Sequence, residues 1–278
     1  MRDLPPALFC ALRQGVAGAV LLCWALWRGH ALPRGRDWRD LAAVAVLLLV
    51  VGNGTLAWAE QWVPTGIASL IVVATPLWMA VFARLSGEPV GRRAASGLLL
   101  GFAGIGVLLW PDLGRVRPEA GFLKATLGLL ASSAIWAYGS VYSKRRPART
   151  EPVMSIAVQM LIGSGVFAAL GVLVGEPARW RPTRESLLAV ANLVVLGSIV
   201  GYGSYIYALS KLSTVNVSVY VYINTVVAVL LGVLVLGERF DPFLAVGIPL
   251  ALGGVYLVDR DRTERVLAET VARSGPER

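Results

Sequence analysis

Gly52-Asn53-Gly54-Thr55-Leu56-Ala57-Trp58-Ala59 returns roughly 150 residues later as Gly201-Tyr202-Gly203-Ser204-Tyr205-Ile206-Tyr207-Ala208. Glycines, hydroxyls, aromatics and the closing alanine keep their places. The match runs on downstream. Thr65 answers Thr214, Ser69 answers Ser218, and after one gap Gly87-Glu88 answers Gly237-Glu238. Gly97 and Gly104 then answer Gly247 and Gly254. Each copy reads as helix, short loop, helix, Gly-Glu, helix. Extended backwards, the pairing sets Arg13 opposite Gln159. Self-similarity over this length is what a duplicated chain half leaves behind.

The residues between these markers are those of a membrane protein. Of 278 residues, 56% are hydrophobic and only 15% charged, with a mean hydropathy of +0.66. A soluble domain carries about a quarter charged residues. The apolar residues fall in nine blocks, 6–27, 41–59, 66–84, 94–110, 122–142, 153–174, 187–209, 216–236 and 243–258. Each is about the length a helix needs to cross a hydrocarbon core of ~30 Å. The expected fold is therefore all-α and polytopic. Residues 1–111 form a first repeat of four helices, and 112–120 a loop with Pro111, Asp112, Arg115 and Pro118 in and beside it. Residues 121–258 form a second repeat of five helices, and 259–278 a charged cytoplasmic tail, partly helical. The amino terminus is no secretory signal, since its apolar run is too long and Trp24-Ala25-Leu26-Trp27 offers no small-residue cleavage site.

The net charge of +9 and isoelectric point near 10.1 would suggest nucleic acid on a soluble chain. Here the basic residues lie in loops and orient the spans. With the loop after the first span inside, about 17 basic residues collect inside, among them Arg28, Arg34, Arg36, Arg39, Lys144, Arg145, Arg146 and Arg149. About 8 lie outside, among them Arg115, Arg179 and Arg239. The carboxyl terminus is then inside. The second span runs outward and its mate, the seventh, runs inward, so the repeat is inverted. The fifth span has no mate. The expectation is a missing first helix, supplied by an in-frame upstream segment of about 20 apolar residues or by a partner chain.

In these residues the sequence resembles the EamA-type branch of the drug/metabolite transporter superfamily. Ala11-Leu12-Arg13 resembles the start of that family's second helix. Trp58-Ala59-Glu60-Gln61, Pro64-Thr65-Gly66 and Ala74-Thr75-Pro76-Leu77 resemble its third and fourth. Gly87-Glu88 and Gly237-Glu238 resemble the markers closing its fourth and ninth, and Trp136-Ala137 and Tyr142-Ser143-Lys144 its sixth. The resemblance covers nearly the whole chain. It implies ten helices in two inverted halves of five around a central cavity. It departs where the family's first helix is absent, and where Asn224-Thr225 stands in place of an Asn-Pro pair, which removes an expected kink.

Helical spacing picks out residues that would face such a cavity. Ser132, Trp136 and Ser140 share a stripe, as do Ser198, Tyr202 and Tyr205, and Asn216, Tyr220 and Asn224. Thr75 and Trp78 share a face, and Asn53 sits in the repeated glycine motif. The same residue types also act as interhelical hydrogen-bond glue or interface anchors. Arg13 is an ionisable residue within a span and reads as structural or gating. Gln159, its mate, reads as packing glue. Glu60 ends the second span at the outer side. Glu88 and Glu238 read as turn markers.

The expected activity is that of an exporter or facilitator of small organic solutes, such as amino acids, metabolites or drugs, working by alternating access. The partners are a small-molecule solute and the lipid bilayer, with nucleic acid excluded and a homodimer left open. No catalytic residue, metal ligand set or cofactor is expected. A membrane enzyme would need clustered acids, histidines or metal ligands, and the chain has one histidine, His30. A chain that inserts without transporting is the other alternative, because of the missing helix. No Asp or Glu lies near mid-bilayer to relay protons. Cys10 and Cys23 sit in one helix, too far apart to pair.

Overall fold

The computed structural model describes residues 4–63, 65–110, 121–236 and 242–273. Pro64, the loop 111–120 with its arginines, the Gly237-Glu238 marker, Arg239 and the last residues of the tail lie outside the described residues. The described residues are helical in all nine expected spans. Among the described residues, seven helices are long and apolar enough to cross a membrane. The other two are the fourth span, with 17 residues, and the fifth, with 24.

The helices are numbered here in chain order: α1 (Pro6–Trp27), α2 (Arg36–Ala59), α3 in two pieces (Thr65–Val72 and Thr75–Leu85), α4 (Arg92–Leu108), α5 (Phe122–Arg145), α6 (Pro152–Leu173), α7 (Arg184–Lys211), α8 in two pieces (Thr214–Ser218 and Tyr220–Leu236), and α9 (Pro242–Arg273). The charged tail continues α9 as helix through Arg273. Large apolar side chains such as Leu85, Leu173 and Leu234 point outward, as a bilayer solvent requires.

The chain forms two compact units. One is built from residues 1–62 and 127–212, the other from 63–126 and 213–278. Each draws on both sequence halves.

In the first unit α1 packs along α6. A Cβ on Gly15 would lie 2.7 Å from Ser164 Oγ, and one on Gly18 would lie 2.9 Å from Leu161 Cγ. Replacing each residue of the first contact by its repeat mate, in the register that pairs Arg13 with Gln159, gives the second contact. The order of contacts also runs oppositely along the two helices, since Leu8 meets Gly171 while Gly18 meets Ala157. The Ser164 hydroxyl donates to the Ala11 carbonyl at 2.8 Å.

Both α2 and α7 contain a π-helical stretch, Ala45–Asn53 in α2 and Leu193–Tyr202 in α7. These occupy matching positions of the repeat, each ending in its Gly-x-Gly motif. The α7 stretch packs on α1 and the α2 stretch on α6, again an exchange of mates.

In the second unit α4 and α9 meet through glycines. A Cβ on Gly97 would stand 2.7 Å from the Gly254 carbonyl oxygen, and one on Gly247 would stand 2.8 Å from that of Gly104. Small residues let the two backbones approach this closely. Tyr222 fills the space beside Gly101 and donates its hydroxyl to the Leu98 carbonyl at 2.9 Å.

The third and eighth spans, each expected as one helix, are both broken. In α3 the cause is Pro76, whose ring excludes the carbonyl four residues back, that of Val72, where the first piece ends. In α8 the turn is at Val219. There Ser218 Oγ donates to the Val215 carbonyl at 2.6 Å, a back-bond of the kind that bends helices. The chain passes Asn224-Thr225 without a break, as the missing proline there predicts.

The Gly87-Glu88 marker is now explained. Gly87 takes φ +82°, the left-handed conformation that closes a helix. The Glu88 N–H returns to the Ala83 carbonyl at 2.9 Å. The Glu88 carboxylate then accepts from both the backbone N–H and the hydroxyl of Thr214, each at 2.8 Å, capping the start of α8. Glu88 is therefore more than a turn marker.

Candidate functional site

In the first unit the expected stripes of α5 and α7 face each other. Trp136 Nε1 donates to the Tyr205 hydroxyl at 3.1 Å, with the rings 5.6 Å apart. The Ser140 hydroxyl bonds to the same Tyr205 oxygen and also donates to the Trp136 carbonyl at 2.7 Å. The Tyr202 and Tyr205 rings lie 6.5 Å apart. Tyr202 donates its hydroxyl to Gln159 Oε1 at 2.6 Å. The Trp136 ring rests on Gly52, where a side chain would collide with it. Ser132 Oγ donates to the Gly52 carbonyl at 3.2 Å. The repeated glycine motif thus does a specific task in its first copy: it opens α2 to the tryptophan of α5. Asn53 is half-buried beside it, and Ser198 is buried in α7.

This network ties together Ser132, Trp136, Ser140, Tyr202, Tyr205 and Gln159. Gln159, read from the sequence as packing glue, makes an interhelical hydrogen bond to the tyrosine stripe. It also lines a cavity of about 260 Å³ with Asp40, Ser143, Lys144 and Ser155. Lys144 Nζ donates to the Leu212 carbonyl at 2.8 Å, a cation at the carboxyl end of α7.

Arg13 is half-buried, its guanidinium 5.9 Å from the Phe9 ring centroid. Its Nε is buried without a hydrogen-bond partner among the described residues. Neighbouring Gln14 is more deeply buried, and both its amide atoms lack a partner among the described residues. The sequence reading passed over Gln14, although an amide in the middle of an apolar span is itself a signal. Glu60 follows α2 as an exposed residue. Glu176, also overlooked, caps α1 by accepting from the N–H groups of Ala7 and Leu8 at 3.2 and 2.8 Å.

In the second unit Thr75 is buried, while Trp78 is exposed and stacked on Phe82 with centroids 6.3 Å apart. Tyr220 and Asn216 are half-buried and Asn224 is exposed.

The residue most clearly missed is Asp40. Its side chain is 10% exposed. It accepts from Arg36 Nε at 3.2 Å and the Tyr142 hydroxyl at 2.9 Å, with Arg39 at 3.6 Å and Arg146 at 3.9 Å. Two i, i+4 pairs, Arg36 with Asp40 and Tyr142 with Arg146, were its traces in the sequence. Among the described residues, no group of three or more His, Cys, Asp or Glu is placed to hold a metal.

The chain as a whole is similar to known membrane transporters. The pattern of the EamA-like transporter family matches residues 1–110 and 123–259. The chain is 36% identical to the "Uncharacterized inner membrane transporter YedA" of Escherichia coli K12, over 88% of this chain and 79% of that one. It is 25% identical to the "Probable terminal-alkyne amino-acid exporter" of Streptantibioticus cattleyicolor, over 89% of this chain and 82% of that one. A solved crystal structure at 25% identity superposes with a TM-score of 0.75, covering 92% of this chain and 88% of its own. These two relatives, from Escherichia coli and Streptantibioticus cattleyicolor, carry the names of a transporter and an exporter, not of enzymes. The chain is a multi-pass membrane protein and belongs to the EamA-like transporter family.

Proposed function

We propose that this chain moves small organic solutes across the membrane by alternating access, as an exporter or facilitator, with its carboxyl terminus in the cytoplasm. The observation that carries the reading is the buried aromatic and amide network of Trp136, Ser140, Tyr205, Tyr202 and Gln159. It lies beside two π-helical stretches, a distortion that favours functional sites. Polar groups that hydrogen-bond to one another inside a span are available to a solute that replaces them. The exchanged contacts of α1 with α6 and of α4 with α9 support the inverted-repeat reading that alternating access needs. Thr75, Trp78, Tyr220, Asn224 and Asn53 are proposed as further pathway residues. Arg13 and Glu60 are assigned structural or gating roles.

The test is uptake and efflux of a panel of amino acids, nucleobases and amphipathic drugs in cells producing the full chain. Trp136→Ala and Asn224→Leu should each lower transport by about tenfold or more, with unchanged amounts in the membrane. Transport of no solute in the panel above that of cells without the protein would overturn the reading.

A further inference from the structure

The loops after α1 and after α5 enclose a cleft of about 800 Å³. Five arginines line it, Arg34, Arg36, Arg145, Arg146 and Arg149. Against them stand three carboxylates, Asp37, Asp40 and Glu151, so two positive charges are in excess. Two of the acids are already engaged. Asp37 accepts the Arg149 backbone N–H at 3.3 Å, and Asp40 is enclosed by Arg36, Arg39, Arg146 and Tyr142.

Arginines placed only to orient a membrane protein need no common geometry. Here five converge on one concavity, and a carboxylate already sits among them. Asp40 shows that this wall of the cleft can surround an oxyanion with guanidinium and phenol donors, the strongest hydrogen-bonding arrangement available to it. The cleft is also not closed off. Asp40, Arg146, Pro147 and Thr150 line both it and the 260 Å³ cavity that reaches Gln159, and Gln159 bonds to Tyr202.

We infer that the arginine cleft is a binding site for a water-soluble oxyanion, a carboxylate- or phosphate-bearing solute, at the mouth of the route to Gln159, with Asp40 as its resident carboxylate. This rests on the transport reading for its purpose. Its continuity with an interior cavity favours a soluble solute over a lipid headgroup, which would be held at the outer surface.

The test reads binding and not transport. The full chain in phosphatidylcholine nanodiscs is treated with phenylglyoxal, and the modified arginines are counted by peptide mass spectrometry. Succinate and inorganic phosphate are the probes, with choline as control. Either anion should slow modification of Arg34 and Arg149, both exposed, by at least about threefold, and choline should not. Asp40→Asn vacates the seat and should lower the half-protecting concentration. Arg146→Gln should abolish protection of Arg34 and Arg149. If that variant does not elute as a monodisperse species, Arg149→Gln replaces it, with loss of protection read at Arg34. Equal labelling with and without both anions would overturn the inference. So would protection seen only when phosphatidylglycerol is in the disc, which would assign the site to a lipid headgroup. Protection without transport refutes the transport reading alone, and transport without protection refutes the anion site alone.

Discussion

Tyr205 holds two partners on one oxygen, the Trp136 indole and the Ser140 hydroxyl. Tyr205→Phe removes both and leaves the indole N–H of the half-buried Trp136 without this partner. Interhelical hydrogen bonds in membranes contribute about 0.6 kcal/mol on average and up to about 1.7. The expected loss is about 1 kcal/mol, measured by unfolding in mixed micelles. A double-mutant cycle with Trp136→Phe should show coupling between the two positions, and strictly additive losses would separate them. These partners were legible because helical spacing alone puts Ser132, Trp136 and Ser140 on one face of α5, and the repeat puts Tyr202 and Tyr205 where α2 has its glycine motif. The role of Asp40, and the tyrosine that Gln159 bonds to, were not. Both depend on which helix lies across from them, and spacing along a single helix carries no such information.

At the level of helices, the glycine seam of α4 and α9 is the feature most sensitive to volume. A side chain on Gly254 would meet the backbone of Gly97 and Gly101, which cannot rotate away. Gly254→Val should destabilise by about 1–3 kcal/mol, the usual cost of overpacking, seen as a lower melting temperature in detergent. Gly106, on the same helix as Gly97 with open space where a side chain would go, should accept Ala with little change. The glycines were visible in the sequence as repeat markers, but their purpose was not. The π stretches were not visible at all, because Ala45–Asn53 and Leu193–Tyr202 contain ordinary apolar residues. Their extra residue is set by packing against α6 and α1. The break in α3 follows from Pro76. The break in α8 has only a serine back-bond behind it, so the uninterrupted apolar run concealed it.

For the whole molecule, four spans end in an aromatic residue followed four positions later by a cation over its ring: Trp24 with Arg28, Tyr142 with Arg146, Tyr207 with Lys211, and Tyr256 with Arg260. In the orientation we propose, all four lie on the cytoplasmic side, where an aromatic ring at the headgroups and a basic residue beyond it are favoured. A fluorescent protein fused after Arg278 should therefore light up, and alkaline phosphatase fused there should stay inactive. An active phosphatase would reverse the orientation. The multi-pass, all-helical architecture was legible from apolar block lengths. The grouping of helices into two units was not, since it is a property of contacts.

That grouping bears on what a severed chain could do. The borders between the units fall after Trp62, after Thr126 and after Leu212, the first and last at matching points of the repeat, so neither sequence half contains a whole unit. A chain cut between Trp110 and Gly121 would yield two fragments, each with helices whose packing partners are on the other piece: α1 without α6, and α9 without α4. Either fragment produced alone should be cleared by membrane proteases. Produced together from separate genes, they should protect each other and co-purify through a tag on one of them.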